Sequence, residues 1–154
     1  MDCEGVWPSC EQRYHRHSAL CLALQDEHGV NVNLLLLAAE LDARELALTQ
    51  QDWQGLLDEA RQWDERLIAP FRRLRRLAKP NLEPAEYQQM LDVELMMERK
   101  VQHLLRCRLE QLTASEFPAD SSPANNPADH PVSNLCLYLG LFGLTADRAA
   151  ALRD

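Results

Sequence analysis

The chain has 154 residues, a length suited to one domain whose single core removes roughly two thirds of the unfolded surface from water. Its 24 acidic against 16 basic residues give a formal net charge of -8, which argues against tight, sequence-independent binding to nucleic acid or an anionic membrane over the whole surface. Five cysteines, Cys3, Cys10, Cys21, Cys107 and Cys136, are widely spaced without a CxxC pair, so neither a disulfide framework nor a zinc site is indicated.

The N-terminal MDCEGVWPSCEQRYHRH has no basic segment followed by an apolar one, and no run of about 18 apolar residues occurs anywhere. A soluble, cytoplasmic protein in a reducing compartment is the expectation, with no membrane contact. Ser9 followed by Gln12, with Pro8 in front, reads as a capping box that opens a first helix over about 9–26. Tyr14, Cys21 and Leu24 give this helix an apolar stripe, and Gly29 is placed to end it in a left-handed conformation.

A second helix is expected from near Asn31 to about Leu46. Its LLLLAA centre has no polar side for two turns, which marks a buried central helix. Glu40, Asp42, Arg44 and Glu45 are expected to return it to the surface. From Gln51 to Lys79 the residues Trp53, Leu56, Leu57, Ala60, Leu67, Phe71, Leu74 and Ala78 recur at three-and-four spacing, predicting one long helix or two in line. Pro70 should kink or split it, because proline lacks the N–H and clashes with the preceding turn.

Lys79, Pro80, Asn81 and the Glu83-Pro84 pair form a break, and Pro84 suits the first turn of a helix running to about Thr113. Residues 117–131, FPADSSPANNPADHP, hold four of the eight prolines and read as a linker. NLCLYLGLFGL, from Asn134 to Leu144, is too short to span a bilayer and is expected to return to the core or to a partner. No strand-type alternation persists. The expected fold is all-α, a compact bundle of about five to six helices: a helical domain over 1–116, a proline-rich linker over 117–131 and a C-terminal helical segment over 132–154.

Two constellations stand out. Gln25, Asp26, Asn31 and Asn33 sit at a hinge between two apolar runs, where such side chains either cap helix ends and tie the turn or present a polar pocket to a ligand or partner. Arg72, Arg75, Arg76 and Lys79 fall at i, i+3, i+4 and i+7 and make one basic stripe. Leu67, Phe71, Leu74 and Ala78 take the opposite side of that helix. Glu94 and Glu98 lie one turn apart on the long helix. If the two helices are antiparallel neighbours, arginine forks meet these carboxylates; otherwise the stripe is a binding face for phosphate, RNA or an acidic protein.

Evidence for catalysis is thin. A dinuclear metal site in a helical bundle needs repeated Glu-x-x-His pairs, and none occurs, so no metal and no cofactor is expected. His15, His17 and Cys21 lie within reach on one helix, but Cys21 sits among leucines and reads as a core residue. Gly-rich phosphate loops, GxSxG and HExxH are absent. Of the three tryptophans, Trp53 fits the apolar stripe and reads as core, and Trp7 as a lid packed over the first helix from an irregular segment; either one, if exposed, would mark an interface.

The block from Leu22 to Leu36, LALQDEHGVNVNLLL, resembles the LxLQDxxGxxVNLLL signature of an uncharacterised, mainly proteobacterial family, a domain of unknown function. Gln25, Asp26, Gly29 and Asn33 carry the resemblance. A Leu-Arg-x-x-Arg element matches Arg72 with Arg75 or Arg76, and a Glu-Leu-x-x-Glu-Arg element matches Glu94, Leu95, Glu98 and Arg99. It covers about residues 7–110. Ala39 and Glu40 stand where family members often carry an aromatic residue, and the tail from Phe117 has no counterpart. The resemblance implies no activity. The expected function is a non-enzymatic interaction or adaptor module that holds a protein partner through the hinge cluster or the Arg72 to Lys79 stripe. The alternatives are an enzyme or small-ligand sensor with a pocket at Asp26, Asn33, Glu94 and the arginines, and RNA or phosphate binding on the stripe.

Overall fold

The computed structural model describes residues 5–112, 115–116 and 133–153. The fold is all-α, with six α-helices among the described residues: α1 Val6–His28, α2 Val32–Ala43, α3 Gln50–Trp63, α4 Ala69–Ala78, α5 Pro84–Gln111 and α6 Asn134–Gly140. A 3-10 segment, Ala146–Arg153, follows α6. The proline-rich stretch 117–131 and the last turn expected at Thr113 lie outside the described residues. Among those described, no helix is long and apolar enough to cross a membrane.

Helix α1 starts three residues before the predicted capping box. Gly5, at φ 75°, is the N-cap and no side chain caps the helix; the Ser9 N–H bonds the Gly5 carbonyl instead. Pro8 stands in the first turn, where an N–H would have no intrahelical acceptor. Trp7 is correspondingly part of α1 and not of an irregular lid. At the other end Gly29, at φ 70°, donates its N–H to the Gln25 carbonyl at 2.9 Å and turns the chain.

Helix α2 is the centre of the core: Leu34 to Leu41 is an unbroken buried run, and it packs against α1, α6 and the C-terminal 3-10 segment. It ends at Ala43, short of Leu46. Glu45 takes a positive φ of 56°, and Leu46–Ala47 forms a two-residue ladder, β1, antiparallel to Ser115–Glu116, β2. The expected return to the surface is wrong for Glu40, which is only 6% exposed.

Thr49 and Asp52 make a reciprocal capping box for α3. Between α3 and α4, residues Asp64–Ile68 form a π turn in which the Ala69 N–H bonds the Asp64 carbonyl. This wider turn, directly before Pro70, takes in the missing donor and the ring without breaking the helical path. Glu83 and Glu86 cap α5 reciprocally, with Pro84 at its first position.

The buried apolar set runs from Val6 to Ile68 and resumes at Val101. Between Ala69 and Lys100 the sole buried residue is Glu94. Helix α4 and the first half of α5, up to Lys100, therefore contribute no fully buried apolar side chain, while Val101, Leu105 and Leu109 in the second half of α5 belong to the core.

Candidate functional site

The hairpin is held by charge. Arg72 Nε meets Glu94 Oε1 at 2.7 Å and its Nη2 meets Glu98 Oε1 at 3.2 Å; Arg75 Nε meets Glu94 Oε2 at 2.7 Å. Arg75 also donates to the Tyr87 hydroxyl at 2.7 Å and lies over its ring, where Lys79 Nζ sits 5.1 Å from the centroid. Both oxygens of Glu94 are thus occupied by guanidinium forks, an arrangement arginine makes and lysine does not. Arg76 is exposed and makes no ion pair among the described residues.

Burial pushes the Glu94 carboxyl up, but its hydrogen bonds to Arg72 and Arg75 and their charges outweigh this and hold it below the usual range. A carboxyl depressed in the folded state adds stability that is present above its unfolded value, and loses it as pH falls through its folded value. The wild-type melting temperature should therefore fall as pH drops below about 4, and Glu94→Gln should flatten this acid limb. An equally steep limb in Glu94→Gln would assign the acid sensitivity elsewhere.

Beside the ion pairs lies an open groove of about 660 Å³, bordered by Trp7 and Tyr14 of α1, Asn33 and Leu36 of α2, Arg72 of α4, and Leu95 and Glu98 of α5. Gln102 of α5, also on its border, donates to Asn33 Oδ1 at 3.2 Å. Gln25 and Asn31 also border it, whereas Asp26 and Glu94 do not. Asp26 is exposed. Asn31 is the N-cap of α2, its Oδ1 accepting from the Leu34 N–H at 3.1 Å. The structure therefore joins Arg72, Arg75, Glu94 and Glu98 into one network and places Asn33, Arg72 and Glu98 on the border of one groove. It leaves Asp26 and Arg76 apart.

The two buried thiols, Cys10 and Cys21, offer little nucleophilic character. Burial, then the Glu40 carboxylate, pushes Cys10 up to about 12, and burial raises Cys21. Cys107 Sγ lies 3.6 Å from His103 Nε2, one turn apart on the exposed side of α5 and away from the groove. Among the described residues no three His, Cys, Asp or Glu side chains gather as a metal would require.

Two polar clusters escaped the sequence reading. Arg13, 6% exposed, donates to Glu40 Oε2 at 3.0 Å and to the Leu152 carbonyl, and Arg44 Nε reaches Glu40 Oε1 at 2.8 Å. The signal was available: Arg13 follows Val6 and Cys10 at seven- and three-residue spacing, on the buried stripe of α1. In the second cluster, Asp42 accepts from the Asn134 and Leu135 N–H groups at 2.7 and 3.2 Å and fixes the start of α6. The fully buried Asn134 accepts from the Leu48 N–H and Trp53 Nε1 and donates to Asp42 and the Leu46 carbonyl. Tyr138, also buried, donates its hydroxyl proton to the Asn31 carbonyl and accepts from the Asn31 N–H, tying α6 to the hinge.

A third feature is the distribution of exposed apolar surface. The large hydrophobic side chains exposed among the described residues are Leu22, Leu67, Leu74, Leu77, Val93, Leu95 and Met96. All but Leu22 lie on the hairpin or the π turn leading into it.

No curated protein and no solved structure gives a match. Residues 5–105, spanning α1 through most of α5, match the family described as "Protein of unknown function (DUF2390)". Over these residues, which include the hinge, the groove and the ion-paired hairpin, the chain belongs to that family.

Proposed function

We propose that this chain is a non-enzymatic protein-interaction module whose partner docks on the α4–α5 hairpin. The observation that carries the reading is the inversion of α4. Its Arg72 and Arg75 are turned toward α5, while Leu74 and Leu77 of the same helix remain 55% and 76% exposed. Exposed apolar side chains gathered on one element mark an interaction surface, whereas single ones are ordinary. Tying Arg72 and Arg75 to Glu94 keeps the hairpin closed without consuming its apolar residues, which stay available to a partner.

A pocket for a small ligand is the second reading, supported by the groove at Asn33, Arg72 and Glu98. Catalysis there has less support, because Arg72, Arg75 and Glu94 satisfy one another and the buried thiols are held protonated. RNA or phosphate binding is weakened for the same reason: Glu94 and Glu98 neutralise Arg72 and Arg75, two of the four cations of the stripe, leaving Arg76 and Lys79. Binding of that kind would weaken steeply with added salt.

The test places a photo-crosslinking side chain at Leu74 or, as a control of similar exposure, at Leu22, 55% and 43% exposed. Crosslinks in the native host should concentrate at Leu74. Equal yields at both positions, or none at Leu74, would remove the hairpin as the docking surface.

A further inference from the structure

Given the proposed interaction role, on which this step rests, we infer that the hairpin's partner is a second copy of the same chain, related by a two-fold axis parallel to the helices. The hairpin carries its own electrostatic complement. From Ala69 to Lys79 the chain has five basic residues and no acidic one, and from Glu83 to Glu98 five acidic residues and no basic one; with Arg72 and Arg75 paired to Glu94 and Glu98, three of each sign remain on the hairpin. Such an axis lays α4 of each copy antiparallel against α5 of the other, so a basic helix meets an acidic helix at both contacts of one self-complementary interface. The alternative axis, perpendicular to the helices, would set basic α4 on basic α4.

Two further observations favour a second copy over an unrelated partner. The whole chain carries -8, so two copies repel, yet the charges of residues 69–98 cancel. Repulsion between copies is therefore weakest where the hairpins meet. The exposed apolar residues Leu67, Leu74, Leu77, Val93 and Met96 do not border the groove, which leaves a hairpin surface separate from it. Paired about the axis, the two hairpins make an antiparallel four-helix bundle, the ordinary way for such stripes to leave water. Arg73 and Asp92 are both exposed and available for cross-pairing, Asp92 through Oδ2, since its Oδ1 accepts from Gln88 Nε2.

The experiment is sedimentation equilibrium of the full chain over a concentration series. The expected mass is twice 17.6 kDa, dissociating on dilution, with Leu74→Glu weakening self-association by about tenfold or more. Specificity comes from charge reversal. A chain with Arg73→Glu and another with Asp92→Arg should each self-associate more weakly than the wild type, while their equimolar mixture recovers the doubled mass. Circular dichroism of each variant checks that the helices remain. A wild-type chain monomeric at every concentration, or reversed chains that self-associate as well as the wild type, overturns the second-copy inference. A monomeric chain that still crosslinks through Leu74 to a different protein overturns this inference alone and leaves the interaction role standing. A monomer whose Leu74 crosslinks only to its own residues 113–132 overturns both.

Discussion

Replacing Glu40 by alanine should destabilise the protein by about 3–5 kcal/mol, the cost of breaking a buried ion pair by removing one partner. Arg13 and Glu40 are each 6% exposed, and Arg13 binds no other carboxylate among the described residues. Without Glu40, a guanidinium remains buried between α1, α2 and the C-terminal segment, holding only the Leu152 carbonyl. For a chain of this size the melting temperature should drop by roughly 10 °C. The double change Arg13→Met with Glu40→Leu removes both charges and should recover most of the loss, since an apolar replacement of a buried pair is often neutral or better. Thermal or urea unfolding of the three proteins decides this. A single variant within about 1 kcal/mol of wild type would mean that water reaches Arg13.

Asn134→Ala should have an effect of similar size, about 3–5 kcal/mol, for a different reason. One side chain of 0% exposure serves four groups: the Leu48 N–H at 3.0 Å, Trp53 Nε1 at 3.2 Å, Asp42 Oδ1 at 2.9 Å and the Leu46 carbonyl at 2.6 Å. Each buried group left without its bond costs about 1–3 kcal/mol. Asp42 keeps the α6 N–H groups, so the loss falls mainly on Leu48, Trp53 and Leu46. Asn134→Asp should be no milder, because it sets a second carboxylate against Asp42. The effect should appear in the Trp53 fluorescence, since its ring lies 5.6 Å from Tyr138 on α6. Retention of wild-type stability by Asn134→Ala would show that α6 is held by Leu135, Tyr138 and Leu139 alone.

The apolar rhythm made the helices legible, because the spacing of Trp53, Leu56, Leu57 and Ala60 is set by the helix itself. The all-α class and the short C-terminal helix follow from such local patterns. Long-range partners were not legible in that way. Glu40 sits in a charged ELDARE stretch that reads as a surface turn, and its burial is decided by Arg13, 27 residues earlier in the chain. Asp42 reads as one more surface acid until Asn134, 92 residues on, is brought to it.

Helix α4 shows a subtler limit. Its two faces were plain in the sequence, and so was the chance of an arginine–glutamate network with α5. Periodicity does not say which face turns inward. The usual assumption buries the leucines, whereas here the guanidinium forks of Arg72 and Arg75 close on Glu94 and the leucines stay outside. Pro70 was expected to interrupt the helix, and the π turn at Asp64–Ile68 carries the chain through it.

That inversion gives the molecule two parts with separate duties: a core centred on α2, closed by the Glu40 and Asn134 clusters, and a hairpin whose exposed apolar residues, Leu74 and Leu77 among them, take no part in it. The most direct test is the unfolding free energy of Leu74→Glu at low protein concentration, set beside its capacity to associate. The folded chain should keep its stability within about 0.5 kcal/mol, as for a surface change, while association through the hairpin is lost. A loss of 2 kcal/mol or more in the dilute chain, in the range of core substitutions, would place Leu74 in the protein's own core and contradict the account.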